Sequence, residues 1–382
     1  MKVTILSAAA ELEPLDWDGR LVGAGDFYLS LSWLKVLEGV SSVRPFYLIA
    51  HDGHGRLQAG LTAYLMGTDA PAWDFYRLDR VLRRLAALPD RDEHGIVGVR
   101  GREPVTVMPH LLLGGRHTAH SRLLLAADLT EAEQRAARAA LLQAAESLGR
   151  EVGARSLAFM FVDEQDPLRG DLTEHGYLPF RHAQAAVMDI GFGTFDGYLS
   201  RLSAHRRKRV KRERRSFAEA GVVFKHRPLG EVIEEITPLG MALESRYGAE
   251  GDTVAAFQRS LRIVSDILGE RAMALTAEQG GKIRGYVVTM RWNDVLILRS
   301  AGFDYDFKGK LPLYYGLIFY HVVEYALATG VRQVSYSIEA AAAKKSRGCR
   351  LIDEYGMARG LDDEAAGALR QVLVSGQPVT GS

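Results

Sequence analysis

The chain has 382 residues, 48 basic and 47 acidic, for a net charge of +1, and 47% of it is hydrophobic. That balance excludes a general polycation of the histone type, while the length and apolar content fit two or three compact domains with ample cores. A single cysteine, Cys349, excludes an internal disulfide framework and a thiolate-rich zinc site, and it points to a reducing, cytoplasmic setting.

In chain order, "MKVTILSAAAELE" reads as a first strand, because its apolar run is very short and acidic residues follow at once. No stretch approaches the length of a membrane span. Residues 43–67 read as a hairpin turning at His51–Arg56. In the irregular segment Thr68–Pro104, Phe75, Leu78, Leu82, Leu85 and Leu88 recur at helical spacing, with Arg77, Arg80, Arg83 and Arg84 expected on the polar side. "PVTVMPHLLLGG" reads as a strand. A helix follows from Thr130, where Glu133 completes a capping box, to Gly149. "RSLAFMFV" and "YLPFRHAQAAVMDI" read as strands. His110, His117 and His120 have no carboxylate or thiolate near them in sequence, so no metal site is expected.

The stretch "SAHRRKRVKRERRSFAEAG" concentrates the charge. From Arg206 to Arg215 it holds eight Lys or Arg and one Glu. Removing them from the totals leaves 40 basic and 46 acidic residues, a net of −6. Phe195, Leu199, Leu202, Val210 and Phe217 fit one helical face, Thr194 is placed to cap its start, and Gly221 to end it. Glu213 stands four residues after Arg209 and can pair with it. The run reads either as a solvated linker helix or as a phosphate-binding helix. No aromatic residues interleave the charges, so contact with the backbone of a structured RNA fits better than base stacking.

The second half then reads strand, two helices near Glu231–Tyr247 and Thr253–Leu268, and three strands with turns at Gly280–Gly281 and Asn293–Asp294. A long helix "LPLYYGLIFYHVVEYALATG", a strand "VRQVSYSI" and a tail helix complete it. The first half is a blurred version of the same order.

That order resembles the GNAT acyltransferase fold. "YLSRLSAHRRKRVKRERRSFAEAGV", with "GFDYDFKGKLPLYYGLIFYHVVEYALATGVRQVSYS" and "KKSRG" further on, resembles the FemAB-like branch over about Phe195–Leu351. That branch includes the Fem peptidyltransferases of cell-wall synthesis and tRNA-dependent transferases of natural-product pathways. The resemblance implies an α/β chain of tandem GNAT-like domains, each a mixed, mostly antiparallel sheet flanked by helices. It implies a degenerate domain over 1–193 as a place for acceptor binding, a basic linker helix over 194–221, and a catalytic domain over 222–382. It also implies an amide-forming acyltransferase with aminoacyl-tRNA as co-substrate, a small amine or peptide as acceptor, and no other cofactor. An acyl-CoA N-acyltransferase and a non-catalytic RNA-binding protein are the alternatives.

The candidate residues follow from this. Arg206, Arg207, Lys208, Arg209, Lys211, Arg212, Arg214 and Arg215 are candidates for tRNA phosphates. In the turn where the fold cradles a pyrophosphate, the usual coenzyme A signature is absent, and Lys308-Gly309-Lys310 stands just before a helix, as a phosphate holder or an ordinary polar loop. The family places a lysine in the loop after the strand beside the acceptor site, and Lys344 or Lys345 matches it. Glu339 is a candidate proton acceptor, Tyr336 a proton donor, and Asp304, with Asp306, a holder of the acceptor amine; each also reads as a surface residue. The family often has glycine where this chain has "SIEAAA".

Overall fold

The computed structural model describes residues 1–70, 74–87, 104–118, 120–246, 253–308 and 311–373. In chain order come β1 (Lys2–Leu6), α1 (Trp17–Leu21), α2 (Leu31–Val40), β2 (Pro45–His51), β3 (Leu57–Met66), α3 (Leu78–Ala87), β4 (His110–Leu113) and β5 (Leu124–Leu125). They are followed by α4 (Glu131–Glu151), β6 (Ser156–Asp163), α5 (Leu168–Glu174) and β7 (Leu178–Asp189). Then come α6 (Phe195–Ser200), α7 (Ala204–Glu219), β8 (Val223–Pro228), α8 (Ile233–Arg246), α9 (Val254–Leu268), β9 (Ala272–Gln279), β10 (Lys282–Trp292) and β11 (Val295–Phe303). After α10 (Tyr305–Lys308), one helix runs through α11 (Leu313–Tyr315), a π-helical segment (Gly316–His321) and α12 (Val322–Ala328). The last elements are β12 (Gln333–Ser335), α13 (Ala341–Lys345), β13 (Arg350–Gly360) and α14 (Asp363–Leu373). Among the described residues, no helix is long and apolar enough to cross a membrane.

Contacts divide the chain into two units, Met1–Gln184 with Asp353–Ser382, and Ala185–Ile352. In the first, the strand order is β1-β2-β3-β4-β6-β13, with β5 also pairing β3. Its pairs are antiparallel except β4 and β6, which run parallel from His110↔Ser156 to Leu113↔Phe159. In the second, the order is β7-β12-β11-β10-β9-β8, again antiparallel except for one parallel pair, β11 and β12. Among the described residues, each unit thus has four antiparallel strands, one parallel partner and one closing antiparallel strand, with β5 in addition in the first.

The expected boundaries shift for a physical reason. The sequence places 222–382 in one domain, but Glu354–Gly360 of β13 pairs with β6, which draws the C-terminal segment into the first unit. The stretch 194–221 is not a free linker: Val210 and Phe217 are buried in the core of the second unit with Leu317 and Ile318. Nor is it one helix. Thr194 caps α6, accepting from the Gly197 amide at 3.1 Å, and Ser203 starts α7 by accepting from the Arg206 amide at 3.3 Å. Gly221 ends it at φ +66°. The capping box at Thr130 and Glu133 is present as read. Arg77, expected on the polar side of its helix, is buried and forks onto Asp79 at 2.8–2.9 Å. Leu88 lies outside the described residues.

One glycine fixes how α8 lies on its sheet. A Cβ added to Gly302 on β11 would stand 2.5 Å from the Leu239 carbonyl carbon and 2.5 Å from the Tyr286 ring. A backbone neighbour cannot swing aside. Gly302→Ala is therefore expected to cost about 1–3 kcal/mol, read as a lowered urea midpoint.

Candidate active site

The second unit opens where its parallel pair separates. β11 and β12 pair from Val295↔Gln333 to Ile297↔Ser335. The chain after β12 then stays with β7: the Tyr336 amide donates to the Ala186 carbonyl at 2.8 Å and the Ala186 amide to the Ser337 carbonyl at 3.0 Å. β11 continues with β10, and between Val288↔Ser300 and Thr289↔Leu298 the register skips one residue, Arg299. A bulge there bends and twists the strand. Among the described residues, no strand pairs with β11 beyond Ile297 on that side. An extended donor can be received along such an edge by backbone hydrogen bonds. The first unit has the same parting after Leu113 and Phe159, but the chain fills it. The Ser121 amide donates to the Phe161 carbonyl at 2.7 Å, and the Ser121 hydroxyl accepts from the Phe161 amide at 3.2 Å.

The turn after β12 is held under strain. Ser337, Glu339 and Ala340 have φ of 58°, 68° and 47°, in the left-handed region that costs a non-glycine residue about 1–3 kcal/mol. Lys344 grips it. Its Nζ donates to the carbonyls of Tyr336, Ser337 and Ile338 at 2.6, 3.3 and 2.5 Å. Three acceptors match the three donors of an ammonium. Burial lowers its pKa from 10.5 to about 8, against the opposing pull of Cys349 and Glu339. The structure thus distinguishes the two lysines: Lys344 is buried, and Lys345 is exposed.

The other candidates fall in different settings. Glu339 is exposed on the strained turn. Tyr336 is buried, stacks on Phe319 at 5.2 Å between centroids, and has a hydroxyl without a partner among the described residues. Burial pushes its pKa well above 10. Asp304 has both oxygens engaged, Oδ2 by Arg284 at 2.7 Å and Oδ1 by the Asp306 and Phe307 amides at 3.1 Å, so it starts α10. Burial, the largest influence, works to raise its pKa, but the hydrogen bond and charge of Arg284 together with the Phe307 and Asp306 amides leave it lowered. Lys308 ends α10, Lys310 lies outside the described residues, and the Lys308 side chain is likewise not described. Burial raises the Cys349 thiol to about 12, so it is no thiolate nucleophile at neutral pH.

On α7 the eight cations divide by face. Arg207 bonds the carbonyls of Leu202 and Ser200, capping the end of α6. Arg214 pairs with Glu324 and covers the Phe195 ring at 4.1 Å. Arg209 pairs with Glu213 at 2.7 Å. Lys208, Lys211, Arg212 and Arg215 are exposed, and no ion-pair partner is found for them, or for the half-buried Arg206, among the described residues. Their positions, i, i+3, i+4 and i+7, form one outer stripe.

Beneath that helix lies a group that the sequence reading missed. Glu213 is buried, and besides Arg209 it meets the Tyr320 hydroxyl and Arg347 Nη2, the latter at 3.4 Å. Arg347 is 0% exposed. Its Nε donates to the Tyr320 hydroxyl oxygen at 3.2 Å, its guanidinium lies 4.0 Å from the Tyr315 ring centroid, and its carbonyl accepts from Tyr198 at 3.0 Å. Burial, then the bond to Glu213, pushes the Tyr320 phenol above its ordinary range. The available signal was a lone acid in a basic run, in phase with Val210 and Phe217.

Residues 115–378 match the FemAB-like family, described as peptidoglycan biosynthesis/recognition. The chain belongs to the FemAB-like family. No curated protein sequence matches it. Among solved structures it is similar to FemX, at 11% identity and TM-score 0.61, over 98% of this chain and 100% of that one. It is also similar to the C-terminal domain of a putative lysylphosphatidylglycerol synthetase from Agrobacterium fabrum, at 14% identity and TM-score 0.51, over 92% and 94%. A tandem GNAT protein from the clavulanic acid biosynthesis pathway gives 14% identity and TM-score 0.51, over 94% and 99%. These likenesses establish the fold as tandem GNAT-like, and family and fold together place the chain among the acyltransferases.

If Lys344 holds the turn as an ammonium, the hold is full well below pH 8, and it is lost as pH rises through about 8. Turnover of this FemAB-like protein is expected to decline above that pH. Lys344→Met should remove the decline along with most of the activity, while Lys345→Met keeps the profile. A wild-type rate that stays level up to pH 9.5 would refute the assignment.

Proposed function

We propose that the second unit moves an aminoacyl group from an aminoacyl-tRNA to an amine of a small molecule or peptide. The observation that carries this reading is the opening of the sheet ladder where β11 parts from β12 after Ile297, with β11 bulged at Arg299 and the chain after β12 running into the turn that Lys344 holds. The donor is already an activated ester, so the site must align it with the amine and manage protons and charge. The amine nitrogen attacks the ester carbonyl carbon and a C–N bond forms. The C–O bond to the terminal ribose breaks, the nitrogen gives up a proton, and the departing oxygen takes one up. In this reading Lys344 fixes the wall of the opening, and Glu339, on the same turn, is the proton acceptor.

The outer stripe of α7 supports a polyanionic donor. Four cations on one face, free of ion-pair partners among the described residues, suit a phosphate backbone. The FemAB-like membership supports transfer onto an amine, through a family described as peptidoglycan biosynthesis/recognition.

Incubation with a pool of charged tRNA and candidate amines, followed by mass spectrometry, tests the reading. An amide product that disappears after RNase treatment is expected. A product that forms from an acyl-CoA and survives RNase would assign the donor to coenzyme A instead. RNA binding with no transfer to any amine would remove the enzymatic reading.

The stripe also makes a quantitative prediction. Each phosphate neutralised contributes roughly −0.9 to the slope of log affinity against log salt, so four contacts give about −3 to −4. Replacing Lys208, Lys211, Arg212 and Arg215 together by Gln should bring the slope for tRNA close to zero, with circular dichroism unchanged. An unaltered slope would leave the stripe as a solvated face.

A further inference from the structure

The buried pair Glu213–Arg347 joins two places that the proposed function uses separately. Glu213 belongs to α7, between Arg212 and Arg214, with the outer stripe on the opposite side of the same helix. Arg347 follows α13, the helix from which Lys344 grips the strained turn: its amide donates to the Lys344 carbonyl at 3.0 Å and the Cys349 amide does so at 3.2 Å. Tyr320, from the π-helical segment, touches both partners through its hydroxyl. Such segments interrupt a helix where geometry is adjusted for a site.

Holding α7 in place does not require charge. Val210 and Phe217 already bury its inner face, and a buried ion pair can often be exchanged for apolar residues without loss of stability. What charge adds is direction, because a carboxylate and a guanidinium meet favourably in few orientations. Arg209 extends the link outward: its side chain is 39% exposed while its Nε is held by Glu213.

We propose that Glu213 and Arg347 are a positioning pair, through which phosphate held on the outer stripe of α7 sets the Lys344 turn for transfer. Neither residue touches substrate in this scheme. The inference rests on the aminoacyl-tRNA reading and adds that donor binding and turnover are linked by this pair.

The test uses the full chain, an acceptor-stem hairpin RNA, and the same hairpin aminoacylated at its 3′ end. The double variant Glu213→Leu with Arg347→Met replaces the pair by apolar side chains, and the single variant Glu213→Gln keeps the shape while removing the charge. Both are expected to bind the uncharged hairpin and to show KM for the charged one within about twofold of wild type, while kcat falls at least about tenfold. The melting temperature of the double variant is expected to stay near that of wild type, which separates positioning from stability. Should the double variant fail to fold, the same split between KM and kcat in Glu213→Gln decides the matter. Wild-type kcat in either folded variant would overturn the inference alone, as would a loss of kcat only in step with the folded fraction or with hairpin affinity. A wild-type protein that transfers from another acyl donor but never from the charged hairpin would overturn the aminoacyl-tRNA reading, and this inference with it.

Discussion

Glu213 is the one acid within a run of eight cations, and it lies buried beneath them. A buried carboxylate is tolerated only when its partners replace water, and Arg209, Tyr320 and Arg347 do so here. Its burial fixes the rotation of α7 about its own axis. With Val210, Glu213 and Phe217 inward, Lys208, Lys211, Arg212 and Arg215 must point outward. The same carboxylate ties α7 to the π-helical segment and, through Arg347, to the end of α13, the helix that carries Lys344. The cationic face and the candidate site therefore share one buried contact.

The two units treat one strand arrangement differently. Both bring a parallel pair together for a few residues and then part. In the first unit Ser121 completes the hydrogen bonds across the gap, so the parting is closed by the protein itself. In the second, the skip at Arg299 turns β11 aside, and the chain after β12 continues along β7. The turn that follows β12, with its left-handed residues, is bound at three carbonyls by the ammonium of Lys344.

Charge on α7 is spent in two ways. Arg207 and Arg214 bind carbonyls and Glu324 and so hold α6 and α12 against the helix, whereas the outer stripe has no ion-pair partner among the described residues. Counting cations in the sequence merges these groups. Only the part facing outward is available to a polyanion, and it is about half of the run.

The local pattern of residues settled most of the element order. Period-2 and period-3.6 apolar spacing marked the strands β8 to β11 and the helices α8 and α9, the glycines at 280 and 281 marked a turn, and Thr130 with Glu133 marked a helix start, because each signal acts within a few residues. The charge run and the lysine after β12 were also legible, and the first pointed to α7 before any fold was known. Tertiary structure alone decided the rest. Glu213 and Arg347 are 134 residues apart, and nothing in either neighbourhood names the other. The bulge at Arg299 exists only against β10, and the strand that closes the first unit comes from the C-terminal part of the chain. Which of Lys344 and Lys345 is buried under the carbonyls of the turn was likewise set by the fold. Short-range patterns determine what an element is; which face it buries and which distant residue meets it depend on pairing across the fold, where the sequence carries no local period to read.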